Sequence, residues 1–315
     1  MMNKPLIICL MGPTASGKTH LALQLVERFP CEIISVDSAM IYRGMNIGTA
    51  KPDEAILKKI PHHLVNCCDV VDTYSVGQFC QDAVFLINQI IARQKIPLLV
   101  GGTMMYFKSL LKGFATLPAR NETIRATMNA RIKKEGLNSL YCELKSMDPK
   151  SCKTIHPNDR IRIIRALEVM HLTGTPLSIL QTDNRSILSP FQVMSFALTP
   201  QDREQYYRQI AARFDSMIDA GLIDEVKQLQ KNVHLTRDHA AMHAVGYRQV
   251  WDYLAGLYDE KEMRKLAITR TRQLAKHQLT WLRTFQLSHL LVSEDYFLLD
   301  KIIQQVEEAL LATHE

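Results

Sequence analysis

Apolar residues follow two rhythms along this chain. Short unbroken runs at 5–11, 31–36, 96–100 and 191–198 read as strands buried on both faces. Elsewhere apolar residues recur every three or four positions, the signature of helices packed along one side. Such patterns cover 20–29, with Leu21, Leu25 and Phe29 on one face, and a short stretch at 53–59. They continue at 76–94, with Phe79, Ala83, Leu86, Ile90 and Ala92 facing inward, and at 104–111. From about 117 to 181 no strand signal interrupts helices at 122–135, 137–145 and 159–171. Asn158 or Asp159 can cap the last of these, and Gly174 follows it. After the run at 191–198 come helical patterns at 203–230, 245–257, 260–285 and 298–312.

Strand and helix alternating in this order predict an α/β fold, a parallel sheet flanked by helices. Residues 1–116 and 187–315 are expected to form the core, with a helical insertion domain at 117–186. Ligands of such sheets gather at the carboxyl ends of the strands. The segments at Gly12, Asp37 and Thr103 each follow a strand run, so they are expected to share one crevice.

Composition narrows the setting. The chain has 315 residues, of which 47% are hydrophobic, enough for a large core. A net charge of +6 is modest and does not by itself indicate nucleic acid. Cysteines fall at 9, 31, 67, 68, 80, 142 and 152 with no Cys-x-x-Cys pair, which predicts a reduced cytoplasmic chain without a zinc module. No apolar run approaches the ~20 residues of a membrane span. The apolar start is read as a buried first strand, not a signal peptide, because a phosphate loop follows at once. No exposed apolar helix stripe stands out, so a monomer is expected.

That loop reads Gly12-Pro13-Thr14-Ala15-Ser16-Gly17-Lys18-Thr19, between the first strand and the first helix. Gly12 and Gly17 let successive backbone N–H groups turn toward phosphate oxygens, and the helix adds its N-terminal donors and dipole. Lys18 brings a full charge to the terminal phosphates, and the Thr19 hydroxyl suits Mg2+. A chance glycine-rich turn is the bland alternative; the strand–loop–helix context argues against it. The loop alone permits kinases, motor ATPases, switches and group transferases. Motors and switches usually carry an acidic residue at a later strand end, whereas the run at 96–100 ends in Gly101-Gly102-Thr103. The carboxylate stands instead at Asp37, as a general base for an attacking group or as a turn cap. Small-metabolite kinases, and prenyl transferases acting on free nucleotides, remain open at this point.

On a helical wheel Lys265, Arg272, Lys276 and Arg283 fall within roughly a 40° stripe, a ridge about 27 Å long. Ala267, Leu274, Trp281 and Phe285 lie opposite, as the expected core edge. A ridge of cations tracks phosphates, or is an ordinary solvated face. Arg160, Arg162 and Arg165 form a second basic group, with Arg165 alternatively structural.

Several longer blocks carry a specific resemblance. They are the loop at 12–19, Asp-Ser-Ala-Met-Ile-Tyr-Arg-Gly-Met-Asn-Ile-Gly-Thr-Ala-Lys-Pro at 37–52 and Leu-Val-Gly-Gly-Thr-Met-Met-Tyr at 99–106. Further blocks are Ile-His-Pro-Asn-Asp at 155–159, Arg-Ala-Leu-Glu-Val at 165–169 and Val-Gly-Tyr-Arg-Gln at 245–249. The last is Thr-Arg-Gln-Leu-Ala-Lys-His-Gln-Leu-Thr-Trp-Leu-Arg at 271–283. In this order, over nearly the whole chain, they resemble the bacterial tRNA dimethylallyltransferase family, also called tRNA isopentenyltransferases.

The resemblance implies a P-loop NTPase-like core and transfer of a dimethylallyl group from dimethylallyl diphosphate to N6 of adenosine 37 in the tRNA anticodon loop, with Mg2+. It implies catalytic roles for Asp37, Thr103 and Lys18, diphosphate binding by residues 12–19, and Mg2+ at Thr19. It further implies tRNA contacts at Asp37, Ser38, Ala39, Met40, Thr103 and Arg125, and at Ile161, Arg162, Ile163, Ile164 and Arg165. The same holds for His243, Ala244, Val245, Gly246, Tyr247 and Arg248, and for Lys276, His277, Gln278, Leu279, Thr280, Trp281, Leu282 and Arg283. The chain departs from the family pattern at Ile161, where glutamine is usual, and at His243 and His277, where arginine is usual. Two histidines in an RNA surface predict pH-sensitive binding at about pH 6.5. Base 37 must leave its stack to react, which favours recognition of loop shape and splayed bases.

Overall fold

The computed structural model describes residues 4–113, 115, 117–181 and 186–312. Residues 1, 116 and 315, three of the expected domain bounds, lie outside them. In chain order the elements are β1 (Leu6–Met11), α1 (Lys18–Arg28), β2 (Cys31–Val36), α2 (Glu54–Lys59), β3 (His62–His63), α3 (Val76–Ala92), β4 (Ile96–Gly101) and α4 (Met104–Lys112). Next come α5 (Glu122–Glu135), α6 (Leu137–Met147), α7 (Arg160–Thr173) and α8 (Leu177–Leu180). The chain closes with β5 (Gln192–Thr199), α9 (Arg203–Asp219), α10 (Leu222–Gln230), α11 (Tyr247–Leu254), α12 (Glu260–Leu282), β6 (His289–Val292) and α13 (Leu298–Ala312). It divides into two compact units, Met1–Leu111 with Leu188–Glu315, and Lys112–Ile187.

The larger unit is built on a parallel sheet of order β3-β2-β4-β1-β5-β6 among the described residues. Every residue of β1 and β2 is buried, as unbroken apolar runs require of inner strands covered on both faces. Leu6, Ile8 and Leu10 pack with Leu21, Ala22 and Leu25 of α1 and with Ile302, Val306 and Ala309 of α13. Ile7, Cys9 and Met11 alternate with them and point to the other face. On β2 and β4 rests α3, which buries Phe79, Ala83 and Ile87 and starts with a capping box from Ser75 and Gln78. Gly101 is required where β4 meets β2: a Cβ there would lie 2.0 Å from the Val36 carbonyl oxygen.

At the amino end of β2, buried Glu32 accepts from His63 Nε2 at 2.8 Å and from Arg93 Nη2 at 2.6 Å, and pairs with Lys95 Nζ at 3.1 Å. Burial alone would raise its pKa; the hydrogen bonds outweigh that and hold it down at about 2. The His62–His63 pair thus belongs to an edge strand and a structural ion cluster.

The elements differ from the sequence pattern at several points, the short β3 and α8 among them. The stretch 203–230 is two helices, because Ala220 ends α9 and Gly221 turns the chain at φ 98° into α10. The four-residue β6 was not visible in the pattern; it forms by pairing with β5 from Phe196↔His289 to Thr199↔Val292.

The smaller unit is helical. Met128, Leu140, Leu144, Ile163, Ile164 and Leu167 form its centre. Asn121 caps α5 through Ile124 N–H, Asp159 caps α7 through Arg162 N–H, and Gly174 closes α7 with φ 67°. Glu168, fully buried, accepts from Arg125 Nε at 2.8 Å and Nη2 at 2.9 Å, from Arg165 Nη1 at 2.6 Å and from Asn121 N–H at 2.8 Å.

Candidate functional site

The loop between β1 and α1 is held from several sides. Gly12 leaves no room for a side chain, since a Cβ would meet Ser16 Oγ at 2.8 Å and Leu198 Cβ at 3.2 Å. Gly17 adopts φ 79° and caps α1. Ala15 sits at φ 60°, a left-handed conformation that costs an ordinary residue about 1–2 kcal/mol. Its neighbour Thr14 is fixed at both peptide atoms. Thr14 N–H donates to Gln278 Oε1 at 2.9 Å, and Tyr206 Oη donates to the Thr14 carbonyl at 2.6 Å. Ser16 Oγ donates to the Pro13 carbonyl at 2.9 Å. The Lys18 ammonium donates to the same Pro13 carbonyl and, at 3.3 Å, to Ser16 Oγ.

The loop opens on a cavity of about 790 Å³ lined also by Asp37, Thr103 and Arg213. Asp37 Oδ1 accepts from Ala39 N–H at 2.8 Å and Met40 N–H at 3.2 Å, while Oδ2 has no hydrogen-bond partner among the described residues. One carboxylate oxygen therefore caps the turn, and the other is unengaged among the described residues. Thr103 Oγ1 accepts from Ser38 N–H at 3.0 Å and donates to Ser38 Oγ at 3.3 Å, so it fixes the residue after Asp37 and not the carboxylate itself.

Arg213, on the inner side of α9, was not visible to the motif reading. Its signal was a lone cation inside the apolar stripe Ile210, Phe214 and Met217, all of which line the cavity. It forms no hydrogen bond or ion pair among the described residues, and burial lowers its pKa against the opposing pull of Asp37. Burial, then the Arg213 charge, pushes Lys18 down to about 7, with Asp37 opposing. Two cations beside one aspartate in a partly apolar cavity make a site for a chain of negative oxygens.

The segment before α2 is positioned from α10 and α11. Glu225 accepts from Asn46, Ile47 and Gly48 N–H, and from Tyr247 Oη at 2.5 Å. Tyr247 Oη also accepts from Gly48 N–H at 3.1 Å. A Cβ on Gly48 would lie 2.5 Å from the Tyr247 ring. Burial, with Glu225 beside it, drives the Tyr247 pKa up, so it stays a neutral donor. Lys51 reaches the Tyr42 carbonyl at 2.8 Å and Asn66 Oδ1 at 2.7 Å; burial lowers it to about 8.

A family model described as IPP transferase matches residues 40–285. The chain belongs to the IPP transferase family. It is 47% identical over 307 residues to the tRNA dimethylallyltransferase of Coxiella burnetii (strain Dugway 5J108-111), covering 97% of this chain and 99% of that one. To the tRNA dimethylallyltransferase of Legionella pneumophila (strain Corby) it is 48% identical, covering 98% of each. Among solved structures it resembles the tRNA isopentenylpyrophosphate transferase of Bacillus halodurans, with TM-score 0.70, 33% identity, and 99% of this chain and 100% of that one covered. It also resembles a eukaryotic dimethylallyltransferase acting on tRNA, with TM-score 0.80, 26% identity, and 96% and 77% covered.

Among the IPP transferase positions expected to touch tRNA, the structure separates two groups. Asp37, Ser38, Ala39, Met40 and Thr103 line the cavity, as do His243, Ala244, Val245, Gly246, His277 and Trp281. Lys276 and Arg283 are exposed, and Ile161 is 77% exposed. Arg162 is solvent-facing but paired with Asp159 at 3.0 Å. The side chains of Ile163, Ile164, Tyr247 and Leu282 are buried. Arg125 and Arg165 are half-buried and share the single carboxylate of Glu168. Gln278 is buried against the phosphate loop and Gly102.

The expected ridge on α12 is also revised. Lys265 pairs with Glu262 at 3.1 Å, and Arg272 lies over the Tyr207 ring, 5.0 Å from its centroid. Leu274 and Trp281, expected in the core, line the cavity instead, and Lys108 sits over Trp281 at 5.3 Å. The helix buries Met263, Ala267, Ala275, Gln278 and Leu282, a face rotated from the expected one. Burial, together with nearby Arg248, lowers the His243 pKa, which moves its titration below the expected window.

The residues fit Mg2+ as a passenger of a diphosphate. No cluster of three His, Cys, Asp or Glu side chains could hold a metal among the described residues. Thr19 lines the cavity with a hydroxyl engaged by no described residue. Magnesium takes one or two protein oxygens and completes its shell with phosphate and water.

Proposed function

We infer that this chain transfers a dimethylallyl group from dimethylallyl diphosphate to N6 of adenosine 37 in tRNA, releasing diphosphate. One observation carries the reading at residue level. A single cavity joins a phosphate loop, two half-buried cations and an aspartate with one unengaged oxygen to an apolar wall of Ile210, Phe214, Met217 and Leu274. The apolar wall suits a five-carbon tail and the cations suit its diphosphate.

Loop amides, Lys18 and Arg213 neutralise charge as it builds on the leaving diphosphate while the allylic C–O bond breaks. Thr19 would hold Mg2+, which when bound supplies further neutralisation of the same oxygens. The adenine amine is a weak nucleophile because its lone pair is delocalised. As its nitrogen bonds to the allylic carbon, Asp37 Oδ2 takes one of its protons. Thr103, through Ser38, keeps the Asp37 turn in place. In the larger unit Lys276, His277, Trp281 and Arg283 on α12, with His243, Ala244 and Val245, offer an RNA surface; in the helical unit the exposed Ile161 and Arg162 are candidates of their own. The extruded base suits stacking on Trp281.

No described helix is long and apolar enough to cross a membrane. Seven free cysteines and an RNA substrate suit the cytoplasm, and we take the working form to be a monomer.

Incubation of the purified protein with labelled dimethylallyl diphosphate, Mg2+ and unmodified tRNA, followed by nucleoside analysis, tests this. Label in N6-modified adenosine at position 37 is expected. Absence of label from tRNA, with ATP turnover on hydroxyl acceptors instead, would replace the reading with a kinase.

A further inference from the structure

We propose that Gln278 is a positioning residue for the prenyl donor, holding the phosphate loop in its binding shape instead of meeting the RNA. The inference rests on the function proposed above. Gln278 lies on α12 next to the exposed Lys276 and His277, yet its own side chain is buried. Its Oε1 accepts from Thr14 N–H at 2.9 Å, and its Nε2 donates to the Gly102 carbonyl at 2.8 Å. One carboxamide thus ties the turn after β1 to the turn after β4, the two strand ends that flank the cavity.

The geometry explains why an amide is needed. An acceptor and a donor must sit side by side on one short planar group, which glutamine provides at neutral pH and glutamate does not. The fit is tight: a Cβ on Gly102 would lie 2.5 Å from Gln278 Nε2. The tie matters because the next loop residue, Ala15, is held in a left-handed conformation at φ 60°. Tyr206 anchors the carbonyl of Thr14 and Gln278 anchors its N–H, so the peptide leading into that strained turn is clamped from α9 and α12 together. Loosening one jaw lets the turn relax and misdirects the amides that follow it.

Full-length Gln278→Leu and Gln278→Glu variants, with wild type alongside, separate this role from an RNA contact and from a merely structural one. Gln278→Leu should raise the donor KM about tenfold, the worth of one or two lost hydrogen bonds, with the tRNA Kd within about twofold of wild type. Gln278→Glu should show at least as large a loss at about pH 8, where its carboxylate cannot donate to Gly102 and repels diphosphate. Its donor KM relative to wild type should recover toward about pH 5.5, as protonation restores a donor and an acceptor on one group. If the leucine variant fails to fold, the pH-dependent recovery of the glutamate variant decides alone. A donor KM unchanged in both variants, a loss confined to the tRNA Kd, or no recovery at low pH would overturn the proposal. Wild type that fails to label tRNA in the same assay would instead overturn the reading of function.

Discussion

The Oδ1 atom of Asp37 accepts the N–H of Ala39 at 2.8 Å, which ties the carboxylate to its own turn and leaves Oδ2 unengaged among the described residues. Asparagine preserves the first of these features and removes the base. Asp37→Asn should therefore keep the turn and the tRNA affinity while single-turnover transfer slows by about 10²–10⁴. Single-turnover rates equal to wild type would remove Asp37 from the chemistry.

Lys18 is charged only below its pKa, which burial pushes down to about 7. The protein alone loses that charge as pH rises through this value, and a bound diphosphate restores it. Binding of inorganic diphosphate at about pH 8 should then take up protons that Lys18→Met does not take up. Calorimetry in two buffers of different ionisation enthalpy measures the difference. The same shift makes the folded chain gain stability between about pH 7 and the ordinary lysine pKa of 10.5, because the unfolded chain binds more protons there.

Arg213 is a half-buried cation with no ion pair among the described residues, so a diphosphate is its natural partner. Arg213→Ala should raise the donor KM by about 10–100-fold, as charge-assisted hydrogen bonds are lost, with tRNA affinity little changed. Steady-state kinetics varying each substrate in turn checks this; an unchanged donor KM would count against a diphosphate site here.

Arg125 and Glu168 form a buried pair inside the helical unit. Arg125→Ala should destabilise that unit by about 1.5–3 kcal/mol, because Glu168 loses its two charge-assisted hydrogen bonds from Arg125 and keeps only those from Arg165 and Asn121. Burial opposes ionisation of Glu168, but hydrogen bonds from Arg125 and Arg165 prevail and hold its pKa at about 2, below the ordinary 4.5. The stability it contributes is therefore complete above about pH 4.5 and is lost as pH falls toward 2. Limited proteolysis and urea unfolding across that range, against Arg125→Ala, provide the measurement.

Much of this was legible in the sequence wherever a local rule governs. The strand runs at 31–36 and 96–100, the caps at Asp159 and Gly174, and the loop from Gly12 to Thr19 follow from burial on two faces, orphan donors at helix ends and glycine's freedom. Gly221 marks the break between α9 and α10, which apolar periodicity continuing across it conceals in the sequence. The buried face of α12 is hidden in the sequence for another reason. Leu274 and Trp281 are apolar without being core, since a site that accepts an allylic tail and a base needs an apolar wall of its own.

What the order of residues determined by itself was the class of chemistry. Phosphate-binding geometry is encoded within eight neighbours, and strand ends are points to which a short motif can be assigned. Only the tertiary structure decided which charges act. Arg125 and Arg165 both look unpaired along the chain but share one buried carboxylate, Glu168, and Lys265 pairs with Glu262 at the surface, whereas Arg213 looks ordinary and lies beside Lys18 and Asp37. Pairing of this kind depends on which groups meet across folded segments, and a Coulomb interaction reads distance and burial, not position in sequence.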